Sequence, residues 1–240
     1  MVIVAEGQTP EPYTGLRPKY TPDFWNDDGQ VQYSTNCYSY AFDWPGVVNY
    51  GNGGQFPINT QPGGMLTQVI RDEIEQRSDG DPLKELLNLF DNAANIGDKA
   101  LYGAKLDAAI NGHTFATADQ IAGNDLGPNE WVVYLVATDD SWNGDQDYHW
   151  YRQNFDEYGI FDGTWSHKPG GLKVTNSTVS WYQYADGTSD FVYGDYPITD
   201  PTQSHVRRIA IYDVNKIGTI HAAGLYVDYK RIVGAYVVGM

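Results

Sequence analysis

At Pro128 the period of the hydrophobic pattern changes, and that change restricts the chain to few architectures. Before it, from Gly64 to Gly112, apolar residues recur at steps of three and four. Leu66, Val69, Ile70 and Ile74 make one stripe, and Leu83, Leu86, Leu87, Phe90 and Ala94 make a second. Asp81-Pro82 reads as the N-cap and first residue of the second helix. A third helix is expected from Asp98 to about Ile110, closed by Asn111-Gly112. Arg71 with Glu75 and Glu73 with Arg77 stand at i,i+4 on the solvated side. After Pro128 the runs have strand character: EWVVYLVA, DYHWYRQ, TWSHK, LKVTNSTVSWYQYA, SDFVYG, HVRRIAIYDV and LYVDYKRIVGAYVVG. Asp186-Gly187, Gly194-Asp195 and Asn215 with Gly218 supply turns between them. Helices followed by a run of strands is the α+β pattern, with the strands expected to form one antiparallel sheet.

The rest of the chain fits around these halves as a single domain over residues 1–240. Residues 1–36 carry Pro10, Pro12, Pro18 and Pro22 with few aliphatics and read as an extended arm, pinned by Phe24 and Trp25. In STNCYSYAFDW, polar N-cap residues precede Cys37, Tyr40 and Ala41 at helical spacing, so residues 37–45 hold a short helix that Pro45-Gly46 stops. A loop rich in glycine and asparagine, 46–64, follows beside Cys37, then the helical lobe, 64–112, and the sheet region, 129–240. The apolar terminus Ile232–Met240 reads as a last core strand or a docking segment.

Charge removes two classes of partner. With 15 Lys and Arg against 31 Asp and Glu, the net charge of −16 repels nucleic acid and anionic membrane surfaces. The N-terminus MVIVAEGQTPEPYTG lacks the basic region and cleavage site of a secretory signal, and no apolar run approaches the roughly 18 residues that a bilayer span requires. The expectation is a protein soluble where it is made, or released by lysis, a secretion machine or packaging into a particle. One cysteine excludes an internal disulfide, which leaves Cys37 as a small buried hydrophobe or a reactive thiol.

Two of the five histidines favour the second. Residues 147–153 and 164–168 flank a loop, Asn154–Asp162, and arms pairing symmetrically about Tyr158 put His149 opposite His167 on one face of a hairpin. Cys37, in the first turn of its helix, would have its pKa lowered by the positive end of the helix dipole. His149 would then act as base, and His167 would fix the tautomer and angle of that ring.

These strings resemble the papain-like fold in its NlpC/P60 form, a family of cysteine peptidases and amidases. In it a cysteine opens a helix, a histidine begins a sheet strand, and a third polar residue, often histidine, lies on the next strand. NCYSYAF matches the nucleophile segment at Cys37, DYHWYRQ the base at His149 and WSHKPG the orienting residue at His167, while EWVVYLVA is similar to the strand before the base. The paired strings also resemble a motif set that recurs in bacterial and phage proteins. Asn36 replaces the family's usual Asp, Tyr38-Ser39 replace its Ser-Gly, and the long separation of Cys37 from His149 requires the helical lobe to be an insertion. The resemblance implies a cysteine-dependent hydrolase, without cofactor, acting on an amide or peptide bond in a cell-wall peptide or a protein. Its oxyanion donors would be the Cys37 backbone N–H and a side chain just upstream, Gln32 or Tyr33.

Two other classes compete. His149, His167 and a carboxylate, Asp147 or Asp145, are residue types that bind zinc or iron, although no HExxH pair accompanies them. An acidic, tyrosine-rich, β-rich chain also suits a virion or surface assembly protein, docking through its N-terminal arm or its C-terminal strand. His113, His205 and His221 are scattered and read as surface residues.

Overall fold

The computed structural model describes residues 17–26, 32, 35–44, 61–118, 126–139, 146–183, 188–203, 208–215, 219–227 and 229–239. Most of the arm and residues 45–60 of the loop after Cys37, together with Tyr33, Asp145 and His205, lie outside the described residues.

Helices α1 (Pro22–Trp25), α2 (Cys37–Ala41), α3 (Gln68–Glu75), α4 (Pro82–Asp91) and α5 (Ile96–Asn111) precede strands β1 (Thr114–Thr117), β2 (Glu130–Ala137), β3 (Tyr148–Phe155), β4 (Phe161–His167), β5 (Ser177–Gln183), β6 (Ser189–Pro197), β7 (Arg208–Asn215), β8 (Thr219–Val227) and β9 (Arg231–Gly239). The α+β class holds. The strands do not form one sheet, however: among the described residues a five-stranded antiparallel sheet runs β1-β9-β2-β3-β4, and β5-β6 and β7-β8 are separate pairs. Strand periodicity marks which residues extend but not which edges meet, which is why the correction needed tertiary structure. β1, which the pattern missed, pairs with β9 and thereby makes the C-terminal strand an interior one. No helix among the described residues is long and apolar enough to cross a membrane.

The lobe is the three-helix unit that its stripes imply. Thr67, Asp81 and Asn95 accept from backbone N–H groups at the three helix starts, and Gly112 closes α5 with φ +69°. Leu66, Ile70, Ile74, Leu83, Leu86, Leu87, Phe90 and Leu106 share a core, whereas Val69 is 68% exposed and leaves the stripe. Arg71 pairs with Glu75 and more closely with Asp91, while Arg77 pairs with Asp81.

Helix α2 cannot stand alone, since isolated helices need roughly 12–15 residues. Its first turn is capped by the Asn36 side chain, which accepts from the Ser39 N–H. Its last carbonyls are met from the sheet. The Trp131 indole N–H donates to the Ala41 carbonyl at 2.9 Å, and Arg152 donates to the Tyr40 carbonyl at 2.9 Å and to Asp43 at 2.8 Å. Arg152 is buried, and its guanidinium lies 3.9 Å from the Tyr40 ring centre. A cation at a helix C-terminus opposes the partial negative charge there. Around it Tyr38, Ala41 and Phe42 pack with Trp131, Val133, Leu135 and Trp150, so the start of α2 is held against β3.

At the arm, Pro22–Trp25 is a helical turn rather than extended chain, and Trp25 is buried beside Tyr40 while Phe24 is half exposed. Arg17 donates to the Gly159, Leu126 and Gly127 carbonyls, tying this end of the arm to the β3-β4 turn.

Arg152→Met keeps the apolar stem but removes the buried cation's bonds to the Tyr40 carbonyl and the Asp43 carboxylate, leaving that carbonyl only the Asp43 N–H. Its expected cost is about 2–4 kcal/mol, read as a lower urea midpoint with an unchanged slope.

Candidate functional site

Sequence symmetry about Tyr158 survives only at the tip of the β3-β4 hairpin. Phe155 pairs with Phe161, so the connection is 156–160 rather than 154–162. One step further on, Gln153 faces Trp165, because β4 advances four residues while β3 advances two. Gly163 at φ +86° and the Asp162 side chain, which accepts from the Thr164 N–H, shape this bulge. His167 therefore faces Tyr151 rather than His149. The displacement is even, and side chains alternate with a period of two, so both histidines stay on one face as diagonal neighbours. The expected pairing was wrong by two residues, but the expected contact is present: His149 Nε2 and His167 Nδ1 are 2.8 Å apart.

The protons of this pair follow from its far end. His167 Nε2 is 2.8 Å from the Ser177 carbonyl, which only accepts, so Nε2 carries the hydrogen. Burial pushes the His167 pKa down to about 4, so the ring is neutral near pH 7 and Nδ1 is an acceptor. His149 donates to it through Nε2–H, and a neutral His149 then holds its lone pair on Nδ1. The His167 backbone is fixed as well, exchanging hydrogen bonds with Thr175 at 2.9 and 3.0 Å.

Cys37 lies at the other side of the same site. β4 ends at His167, so Tyr148–Trp150 reach beyond it, and Cys37 approaches β3 there. Cys37 and His149 line one pocket of about 120 Å³ with Asn36, Gln61, Asp147, Tyr148, Pro169, Gly170 and Tyr229. The expected low thiol pKa is not found. Burial, reinforced by the Asp147 carboxylate, pushes the thiol up to about 12, against the opposing Trp150 and Tyr38 N–H groups and the Lys168 ammonium. A five-residue helix sums too few peptide dipoles to outweigh desolvation. The resting sulfur is therefore a thiol, and ionisation requires a proton acceptor in contact.

The site also holds residues that no motif indicated. Lys168 is buried and donates to the Gln32 carbonyl at 2.6 Å and the Gly170 carbonyl at 2.7 Å, and burial lowers its pKa to about 8. Tyr229 donates to Asp147 at 2.5 Å and its ring lies 5.6 Å from that of His149. Gln61 accepts from the Tyr148 hydroxyl. Of the oxyanion candidates, Gln32 uses its amide on the Gly171 carbonyl at 3.2 Å and does not line the pocket.

For a metal the donor set fits poorly. Both ring nitrogens of His167 are engaged, by His149 and Ser177, and Asp147 accepts from Tyr229 and the Tyr148 N–H. Among the described residues no three His, Cys, Asp or Glu side chains gather as a ligand set. His113 packs near Trp44, away from the site. A wider surface groove between α4 and α5, about 590 Å³, is lined by Glu85, Asn88 and Tyr102 among others and holds neither nucleophile nor base.

Comparison of the chain with known protein families, curated proteins and solved structures finds no match.

Because the folded His167 pKa lies below the unfolded value of about 6.5, the unfolded chain binds more protons between the two. Stability from this group is complete above pH ~6.5 and is lost as pH falls toward 4. Between pH 7 and pH 4, wild-type protein should lose about 3 kcal/mol more unfolding free energy than His167→Gln, measured by urea titration at both pH values.

Proposed function

We propose that the protein is a cysteine-dependent hydrolase of amide or peptide bonds, built on a papain-like domain of the NlpC/P60 form with the helical lobe as an insertion. The observation that carries the reading is that His149, which lines one pocket with Cys37, is hydrogen-bonded to the buried His167. An adjacent, oriented imidazole is what a thiol with a raised pKa requires to become a nucleophile.

His149 Nδ1 takes the Cys37 proton as sulfur forms a bond to the substrate carbonyl carbon, and the carbonyl π pair moves onto oxygen. As that pair returns, the C–N bond breaks and the amine leaves with the proton from His149. Water then attacks the thioester while His149 removes its proton, and Cys37 departs and is reprotonated. Throughout, neutral His167 accepts the His149 Nε2–H, so the ring keeps its angle whether imidazole or imidazolium. The Cys37 N–H is the first oxyanion donor in this reading. The substrate is a peptide, of a cell wall or of a protein.

Competing readings are weaker on geometry. A mononuclear metal centre at the histidine pair would require His167 to give up one of two hydrogen bonds. An assembly protein does not require a thiol and an imidazole to share one pocket with a second ring bonded behind the first.

Near neutral pH, His149→Ala should slow alkylation of Cys37 by iodoacetamide on the order of 10²-fold, with His167→Ala giving a smaller loss. Incubation with muropeptides and a peptide library, read by mass spectrometry for new amine and carboxylate ends, should show cleavage that Cys37→Ala abolishes. Alkylation indifferent to His149, together with no cleavage, would return the protein to the binding class.

A further inference from the structure

A buried carboxylate joins the lobe to the pocket. Asp107, on the inner face of α5, accepts from the Gly63 N–H at 2.8 Å, the Met65 N–H at 2.9 Å and the Tyr38 hydroxyl at 2.9 Å. It thus binds the turn over residues 61–65 and the residue after Cys37 to one point. Burial raises its pKa, and those donors pull it back down. Two contacts grip the same turn. A Cβ added at Gly103 of α5 would lie 2.5 Å from the Pro62 carbonyl carbon, and one at Gly63 would lie 2.7 Å from the Phe90 ring of α4. Gly63 also has φ +87°, a conformation that favours glycine.

At the start of this turn stands Gln61, which lines the Cys37 pocket and is hydrogen-bonded to Tyr148. Pro169 and Gly170 also line it. At about 120 Å³ the pocket is well below the roughly 300–1,000 Å³ of ordinary ligand sites.

We propose that the helical lobe sets the specificity of the site: Asp107 is a positioning residue that holds the 61–65 turn so that the Gln61–Tyr148 pair narrows the approach to Cys37 to an unbranched chain. This rests on the hydrolase reading for its consequence, which is that the residues flanking the cleaved amide are small, of glycine or alanine size. Asp107 touches no reacting atom. It acts through Gln61 and Tyr148.

The test compares two uncharged alkylating reagents with the same reactive carbon, iodoacetamide and an iodoacetamide bearing a pyrene, each normalised to its rate with glutathione. The ratio of the two rates cancels the thiolate fraction of Cys37 and reads the width of the approach alone. In the full-length wild type the bulky reagent should lag by about tenfold or more. In Asp107→Asn, and separately in Gly103→Ala, the lag should shrink to within about threefold. Leu87→Ala, which weakens the lobe core while leaving the Asp107 hydrogen-bonding groups and Gly103 as they are, should keep the wild-type ratio. If Asp107→Asn fails to fold, Gly103→Ala decides. A wild-type ratio in the folded variants, or an equal loss in Leu87→Ala, overturns the proposal. His149→Ala should slow both reagents alike and leave the ratio intact. If it slows neither, the base assignment fails while the ratio still tests the wall.

Discussion

Everything at the site depends on how a five-residue helix is held at both ends. Its start is capped by Asn36, and at its far end the Ser39 and Tyr40 carbonyls accept from the Trp44 and Asp43 N–H groups, which is local chemistry, but the sheet adds donors to the Tyr40 and Ala41 carbonyls. Trp131 from β2 and Arg152 from β3 supply them, so the helix is clamped to two neighbouring interior strands. A buried guanidinium is costly to leave unpaired. Here the Tyr40 carbonyl, the Asp43 carboxylate and the Tyr40 ring face share it, although its Nε has no hydrogen-bond partner. With the helix fixed on β3, the sulfur at its first residue is fixed too.

The histidine pair solves a different problem with neutral groups. A carboxylate beside His149 would hold its imidazolium more tightly, yet would itself have to be paid for in a site lined by Tyr151, Val136 and Tyr229. A neutral His167, made an obligate acceptor at Nδ1 by the Ser177 carbonyl, gives direction with little charge. The raised thiol pKa agrees with this economy. The resting site is uncharged at sulfur.

Legibility in the sequence followed the range of the interaction. Caps at Asp81 and Asn36, and the stop at Gly112, are contacts within a few residues and were readable, while the equally local caps at Thr67 and Asn95 went unread and α5 begins at Ile96 rather than Asp98. The histidine contact was half readable. Alternation gave the shared face, but the bulge at Gly163 shifted the partner by two. Val69 left its stripe because the stripe says which residues are apolar, not how wide the buried face is. Gln61, Asp107 and Lys168 had no signal, since each acts through a backbone or hydroxyl group far away in the chain.

What the sequence by itself determined is the order of helices before strands, the capped position of Cys37 and the common face of His149 and His167, because caps and alternation are set by neighbours in the chain. Only the tertiary structure decided that β9 lies inside the sheet, that β5–β8 stand apart from it, and that the lobe reaches the pocket through Asp107. It also reversed the expected direction of the thiol pKa. Strand order and desolvation depend on what packs where, and no local pattern carries that information.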